Sequence, residues 1–473
     1  MSIANFSGNL RYGDYFCLIA YVRTAGKKMK RFEERQLKRL KNMRGKTTYA
    51  GYLAVFSIII ILTRITNELS TNISTYIQSS VVTEFFVKDG VTYEAALTKY
   101  SLINMAVSVF TMFSIFYKSL ADILGRKAVM VINSFGIAIG MLFCYLSPVV
   151  AVYCIGTAVY TFFTQNDLQM IYIMEVAPQG KGTSFFGVVK SLGILGMVLV
   201  PILRDTVMQN NPEMWRSVYL VPMIICVVIC VASVVFLRES DTFIEKRINF
   251  LTLPEEERKK KAADKDDVGV FKAIGYIVKH KEVLLPVIGF MFYGMCSMAA
   301  YSYVESLMTS NGLSAKDVTS ALYVYPFVYA ALSFAGGIVA DKVGRKPVLI
   351  ASGFMTAFGF IVFILGCKNG INPYIIGLLN GIYLGGYFVG TDYMSIMLLE
   401  KVPTRIRGSI MGGAMMLMMG GCFIGIAQLM IIMNIFGLNI AALSVIVPYS
   451  LISTFITIFA VKETRGTDLN AMD

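Results

Sequence analysis

Long apolar stretches alternate with short polar segments along most of this chain. A helix needs roughly 20 apolar residues to cross about 30 Å of hydrocarbon, whereas a membrane β-barrel would show short segments of strict alternation. Twelve stretches meet the helical length, near residues 49–80, 97–117, 128–147, 149–174, 183–203, 217–237, 284–308, 318–339, 347–367, 373–399, 408–435 and 440–461. The pattern predicts an all-α polytopic membrane protein with twelve transmembrane helices.

One long hydrophilic stretch divides these predicted helices into six and six. It contains the charged run PEEERKKKAADKDD, which is typical of a solvated linker or of short surface helices. We therefore expect five regions, namely a basic tail (1–48), a first six-helix bundle (49–240), a linker (241–283), a second six-helix bundle (284–465) and a short second tail (466–473).

Short motifs recur at matched places in the two predicted bundles. ADILGRK (121–127) follows the second predicted helix, and ADKVGRK (340–346) follows the eighth. Other matches are EVAP (175–178) with EKVP (400–403), Arg238-Glu239-Ser240 with Lys462-Glu463-Thr464, and Asp167 with Asp392. The chain is therefore an internal repeat of two pseudo-symmetric halves. In many transporter folds the substrate site lies between such repeats.

These motifs resemble those of the major facilitator superfamily and, among its members, of the sugar-porter branch. Gly337 to Lys346 resembles the pattern G-x-L-x-D-x-x-G-R-[RK], with Val339 for Leu, and the first copy has Lys118 where the pattern has Gly. EKVPTRIRG (400–408) resembles E-x-x-P-x-x-x-R-G, and VKETRGTDL (461–469) resembles P-E-T-K-G-x-x-L. The resemblance implies the major facilitator fold and transport by alternating access.

The repeated motifs collect acids and bases on one face of the predicted membrane. Their aspartates can accept hydrogen bonds from N–H groups at a helix start, and their glycines permit a turn with positive φ. By resemblance, these charges form ion pairs between the two bundles and close an inner gate while the site faces outward. The alternative is a tight turn without a gating role. The candidate gating residues are Asp122, Arg126, Glu175, Glu239, Asp341, Arg345, Glu400, Arg407 and Glu463.

Composition and charge placement refine this prediction. Of 473 residues, 56% are hydrophobic and 15% charged, whereas soluble chains carry about 25% charged residues. The net charge of +13 comes from Lys and Arg concentrated on one side of the predicted membrane. The positive-inside rule then places both termini in the cytoplasm of a multi-pass cell-membrane protein, and the basic charge does not indicate nucleic acid. The basic segment 23–46 is expected to lie as a helix on the anionic inner leaflet, or to form a solvated tail.

Charged residues within the predicted helices are the candidates for function, because a charge at the bilayer centre costs about 2.5–3.5 kcal/mol. Arg64 and Glu68 form an i,i+4 pair on the first helix, beside Asn67. The second part of this helix, 63–80, is so polar that most of its surface must face protein or water.

Asp167 and Lys190 could both reach the middle of the first bundle, and Asp392 matches Asp167 in the second. Asp167 is the leading candidate for a proton-coupling acid, with Lys190 stabilising its charged form. The alternative is that Arg64–Glu68 and Asp167–Lys190 only neutralise each other. The predicted substrate-binding or coupling residues are Arg64, Asn67, Glu68, Asp167, Lys190 and Asp392.

The sequence contains no phosphate-binding G-x-x-x-x-G-K-[ST] motif, one His and no metal-like spacing of Cys, so we expect neither a pump nor an enzyme, and no cofactor or metal. We predict a secondary active transporter of a small polar solute, sugar-like or an organic ion, coupled to protons. The paired Gln and Asn usual in helix 7 of sugar porters are missing from 290–306, so an ionic solute fits as well. Two alternatives remain, namely proton-driven efflux of organic cations or drugs, and a nutrient sensor that no longer transports.

Overall fold

The computed structural model describes residues 32–44, 51–87, 90–114, 117, 120–164, 166–176, 182–254, 256–258, 270–402 and 407–464. Within these ranges the chain is helical and contains no β-strand. Eight helices are long and apolar enough to cross a membrane, and shorter consecutive helices make up the other segments. This confirms the predicted all-α class with two sets of six membrane segments.

The first half is preceded by a helix at residues 32–43, α1. Its membrane helices are α2 (Tyr52–Tyr76), α3 (Gln78–Phe86), α4 (Tyr93–Met112), α5 (Ala121–Leu124), α6 (Arg126–Tyr145), α7 (Val150–Phe163), α8 (Asn166–Val176), α9 (Gly182–Leu195), α10 (Leu199–Thr206) and α11 (Leu220–Phe236). Short 3-10 turns, Gly196–Val198 and Pro212–Tyr219, join α9 to α10 and lead into α11.

The linker contains two helices, α12 (Asp241–Thr252) and α13 (Val270–Lys279). The second half consists of α14 (Lys281–Tyr301), α15 (Val304–Ser310), α16 (Ala315–Lys342), α17 (Arg345–Lys368), α18 (Pro373–Leu399), α19 (Arg407–Phe436) and α20 (Leu438–Ala460). We call the membrane face that carries the two repeated motifs the motif face. The other is the opposite face.

The first membrane segment is broken, whereas the sequence predicted one helix over 49–80. Ile77 leaves the helical conformation with φ −124° and separates α2 from α3. In the apolar part of α2, Ile58 is 59% exposed toward the lipid region. In the polar part, Leu69 and Ile73 are fully buried in the core. Polar residues of this part, among them Thr66, Asn67 and Ser70, are buried too, in agreement with the expectation that most of its surface faces protein or water.

Helix α1 packs against the linker on the motif face. Its Leu40 is buried together with Phe243 and Ile248 of α12. Gln36 of α1 donates a hydrogen bond to the carbonyl of Ile123 in the first motif, and Arg247 of α12 donates to the Gln36 amide oxygen at 3.1 Å. The linker therefore forms short surface helices, one of which connects α1 to the first half.

The buried position of Leu69 yields a stability prediction. Leu69→Ala removes a fully buried side chain, and such truncations cost about 2–5 kcal/mol because they leave a cavity. Leu53→Ala, on the same helix but 41% exposed, is the matched control and should cost much less. Thermal unfolding of the purified variants in detergent measures both. Equal losses for the two variants would contradict the described orientation of α2.

Candidate functional site

The first repeated motif builds a charged cluster on the motif face. The guanidinium of Arg126 binds both carboxylate oxygens of Glu175, at 3.0 and 3.1 Å, and Asp122 at 3.2 Å. Glu239 accepts the backbone N–H groups of Arg126 and Lys127 at the start of α6, where a negative charge compensates the helix dipole. Burial raises the pKa of Glu239, and these hydrogen bonds act in the opposite direction.

The second motif repeats this arrangement on α17. Arg345 binds Glu400 at 3.2 Å and Asp341 at 3.5 Å, and Glu463 accepts the backbone N–H groups of Arg345 and Lys346, both at 2.9 Å. Two further hydrogen bonds also match between the two motifs. In each half the arginine also donates to the alanine carbonyl five residues earlier, Ala121 or Ala340, and a hydroxyl from Ser240 or Thr464 donates to Glu175 or Glu400. The sequence repeat is thus a structural repeat.

The glycine of each motif is required by its geometry. Gly125 and Gly344 have φ of 103° and 125°, which side-chain-bearing residues rarely adopt. A Cβ at Gly125 would also lie 2.1 Å from the Glu239 carboxylate, and one at Gly344 would lie 2.4 Å from that of Glu463. The absence of a side chain therefore lets each capping glutamate reach its helix.

The ion pairs recorded for Arg126 and Arg345 lie within their own halves. The resemblance had implied pairs between the two bundles. Asp122 and Asp341 are 60% and 80% exposed on the motif face, beside their arginines. Each cluster joins helices of one half to each other, and the gating role of these residues stays a prediction.

A charged pair deeper in the membrane does join the two halves. Nζ of Lys190 on α9 lies 2.9 Å from Oδ2 of Asp392 on α18. Counting along each helix at ~1.5 Å per residue, both residues lie about 10–12 Å from the motif face. Their side chains are 34% and 43% exposed, and exposure of two charges inside the membrane is stable toward water rather than toward lipid. Lys190 thus pairs with Asp392 of the other half, a contact that the sequence did not predict. The side chain of Asp167, its expected partner, lies outside the described residues.

The Arg64–Glu68 pair on α2 lies about one to two helical turns further in. Its Nη2 to Oε1 distance is 2.5 Å, and both side chains are 11% exposed, which confirms the pairing expected from their spacing. Asn67 beside them is buried as well. The hydroxyl of Tyr329 on α16 interacts electrostatically with Asp392, Glu68 and Arg64, so both pairs lie around this tyrosine. We call the region between the halves that holds these two pairs the central chamber.

A third pair closes the chamber toward the opposite face. Arg204 on α10 and Glu305 on α15 lie 3.4 Å apart, and their side chains are 2% and 1% exposed. Arg204 also donates to the carbonyl of Tyr76 and to the hydroxyl of Thr319, while Glu305 accepts the backbone N–H of Ser79 at 2.6 Å. We call this network the seal.

Neutral hydrogen bonds extend the seal across both halves. Ser306 donates to Gln78 at 2.8 Å, Tyr93 donates to Ser306 at 3.0 Å, and the hydroxyls of Ser101 and Tyr303 are in contact. Below them lies a cavity of about 150 Å³, lined mainly by residues that carry a hydroxyl or amide group, among them Thr71, Ser74, Asn104, Thr161 and Ser302. Among the described residues, the interface between the two halves is therefore closed on the opposite face. The side chains of Lys190 and Asp392 remain partly exposed.

Sequence reasoning missed the seal, although one signal was present. Glu305 lies inside the predicted apolar run 284–308 and should have been counted with the other intramembrane charges. Arg204 stands one residue beyond the run 183–203. Asp167 and Arg407 belong to described helices, but their side chains lie outside the described residues. Within the described residues, no group of His, Cys, Asp and Glu could hold a metal ion.

Two matched six-helix halves with a charged chamber between them define a class of protein, the secondary transporters built from structural repeats. Within that class, the model of the Major Facilitator Superfamily matches residues 47–426. The chain belongs to this family and is a membrane transporter rather than an enzyme.

Solved structures with the same fold include a D-xylose-proton symporter, with a TM-score of 0.69 and 16% identity, covering 88% of this chain and 99% of that one. The inward open conformation of the xylose transporter XylE from E. coli gives 0.66 and 16%, covering 88% and 98%. At these identities the similarity shows the fold alone. Multidrug resistance protein MdtH of Blochmanniella floridana is 37% identical over 74 residues, which is 16% of this chain and 18% of that protein.

The capping contact in the motifs can be tested by adding one methyl group. Gly125→Ala should lower the thermal stability, since it strains a positive φ by about 1–3 kcal/mol and also displaces Glu239. Gly312→Ala is the control, because Gly312 has φ of 90° and no atom within 4 Å of an added Cβ. Similar melting temperatures for the two variants would mean that the contact with Glu239 contributes nothing.

The seal can be tested by labelling a reporter cysteine placed below it, Thr161→Cys. Removing one member of a buried pair costs about 3–5 kcal/mol, so Glu305→Gln should favour opening on the opposite face. We expect a membrane-impermeant thiol reagent applied to that face to label the reporter at least about tenfold faster, equivalent to about 1.4 kcal/mol.

Two controls accompany this labelling experiment. The same variants without the reporter give the contribution of the native cysteines. Glu213→Gln changes an exposed carboxylate on the same face and should leave the rate unchanged. An unchanged rate in folded Glu305→Gln would refute the sealing role.

Proposed function

We propose that this chain is a secondary active transporter that moves a small polar solute, sugar-like or an organic ion, together with protons by alternating access. The observation that supports this is the Lys190–Asp392 pair, which joins the two halves where water reaches it. The Arg204–Glu305 pair closes the opposite face. A chamber open to one side and sealed by a breakable contact on the other is what alternating access requires.

The aspartate of the accessible pair is the proposed coupling acid. Its carboxylate can take a proton from water, which ends its attraction to the ammonium of Lys190 and so weakens a contact between the halves. Arg64, Asn67, Glu68 and Lys190 line the substrate path beside it. Asp167 remains a proposed second acid in the first half.

The motif clusters are proposed to form the gate on the motif face. Each arginine holds the helices of its own half together. In the state that opens to the opposite face, the exposed Asp122 and Asp341 would meet the facing half. Gating by ion pairs at this surface also involves Glu175, Glu239, Glu400, Arg407 and Glu463.

The proposed location is the cell membrane, with the motif face and both termini in the cytoplasm. The concentration of Lys and Arg on this side supports it. Helix α1 presents exposed Arg35, Lys38, Arg39 and Lys41 away from α12. Each such residue near an anionic leaflet contributes about 1 kcal/mol of attraction, so this face is proposed to contact the inner leaflet.

Drug or organic-cation efflux is the second candidate. It is favoured by the local similarity to a multidrug resistance protein over 74 residues. Transport assays separate the candidates directly. Purified protein in proteoliposomes, given sugars, organic acids, amino acids and organic cations under a proton gradient of either direction, should concentrate one class. No movement of any solute would favour the sensor alternative and refute transport.

Replacing the coupling acid should separate accumulation from exchange. Asp392→Asn mimics the protonated form, so we expect at least about a tenfold loss of gradient-driven accumulation, with substrate-for-substrate exchange retained. Glu245→Gln, an exposed change on α12, is the control. The double variant Lys190→Gln with Asp392→Asn removes both charges. If it accumulates solute as the wild type does, the pair is structural and the coupling proposal fails.

A further inference from the structure

Among the described residues, the central chamber holds a balanced set of charges. Arg64 and Lys190 are cations, Glu68 and Asp392 are anions, and each cation lies beside one anion. Charges that are removed from bulk water must be compensated nearby, since an unpaired one costs several kcal/mol. A charged solute that enters this chamber must therefore either enter together with an ion of opposite charge or bind beside a side chain of opposite charge.

Two cationic side chains of the chamber have N–H donors without a recorded partner among the described residues. Nε of Arg64 is buried and has no hydrogen-bond partner among the described residues. The ammonium of Lys190 has three N–H donors, and the structure records one hydrogen bond from it, to Asp392. A buried donor without a partner costs about 1–3 kcal/mol, so a ligand that accepts these hydrogen bonds would be stabilised here.

Arg64 and Lys190 also face the same space. The Arg64 side chain crosses α9 at Gly193, where an added Cβ would meet its Cγ at 2.4 Å. Gly193 lies three residues after Lys190, which is nearly one helical turn and hence the same side of α9. The missing side chain of Gly193 thus leaves room for the Arg64 side chain on the side of α9 that carries Lys190.

Titratable groups around Asp392 come from several helices. Among the described residues they include Lys190 on α9, Tyr329 on α16 and Tyr393 on α18, and Tyr329 also interacts with Arg64 and Glu68 of α2. When the Asp392 carboxylate binds a proton from water, an O–H bond forms and its negative charge disappears. Lys190 then loses its only recorded anionic partner among the described residues.

We infer that the chamber takes an organic anion, with a carboxylate bound between Arg64 and Lys190, and that one proton enters with it on Asp392. One anion and one proton leave the total charge unchanged. A cation would bring a charge for which neither carboxylate is available, and a neutral solute would leave the Arg64 donor without a strong acceptor. This inference rests on the proposed transport function and specifies its substrate class.

Matched probes on two scaffolds test the substrate class. The first set is gluconate, sorbitol and 1-amino-1-deoxysorbitol, and the second is benzoate, benzyl alcohol and benzylamine. Each set keeps the carbon skeleton and changes one group from carboxylate to hydroxyl to ammonium. The full chain in lipid nanodiscs is titrated with each probe at mildly acidic and mildly alkaline pH, and binding is read from the shift in melting temperature and by calorimetry.

The wild type should bind a carboxylate of at least one set better than its neutral and cationic counterparts, and more tightly at acidic pH. Asp392→Asn should bind the same carboxylate about tenfold more tightly and without dependence on pH. The reason is that the Lys190 ammonium then faces an uncharged amide at every pH. Lys190→Gln and Arg64→Gln should each lose binding while melting cooperatively.

Preference for a neutral or cationic probe overturns the inference, as does absence of carboxylate binding to folded Asp392→Asn. The two proposals can fail separately. Proton-driven accumulation of sorbitol or an amine by proteoliposomes would retain transport and reject the anion. Carboxylate binding without movement of any solute would retain the site and reject transport.

Discussion

A charge inside the membrane is stable only beside a charge of opposite sign, and this requirement decides how the two halves meet. Lys190 belongs to the first half and its partner Asp392 to the second, and the same division holds for Arg204 and Glu305. Among the described residues, each of these pairs takes one partner from each half, and removing one partner of a buried pair such as Arg204–Glu305 costs about 3–5 kcal/mol. The halves are therefore held together by ion pairs, and a charge that leaves its partner needs another partner in its place.

Charge pairs within a half have the opposite consequence. Arg126 and Arg345 bind glutamates of their own halves, and Glu239 and Glu463 neutralise the starts of α6 and α17. These contacts lie within one half, so a displacement of one half against the other would not break them. The Lys190–Asp392 and Arg204–Glu305 pairs, in contrast, lie at the interface between the halves.

The two interfacial pairs differ in their access to water. The Lys190–Asp392 pair is partly exposed, whereas the seal is buried and held by hydrogen bonds from α2, α3, α10 and α16. Water weakens an ion pair and a dry environment strengthens it. In this structure the chamber is therefore accessible at the Lys190–Asp392 pair and closed at the Arg204–Glu305 pair.

The sequence by itself determined the membrane segments, the two halves and the local pairs. Hydrophobic length alone predicted the spans, the repeated motifs predicted equivalent clusters, and Arg64–Glu68 followed from a spacing of four residues along one helix. Only the tertiary structure decided which distant charges meet. Lys190 pairs with Asp392, and Arg204 with Glu305, because the rotation and packing of separate helices bring these side chains together. The periodicity of one helix does not predict which side chains of a neighbouring helix it will meet. The break at Ile77 has the same origin, since packing between the halves decides where the first segment bends.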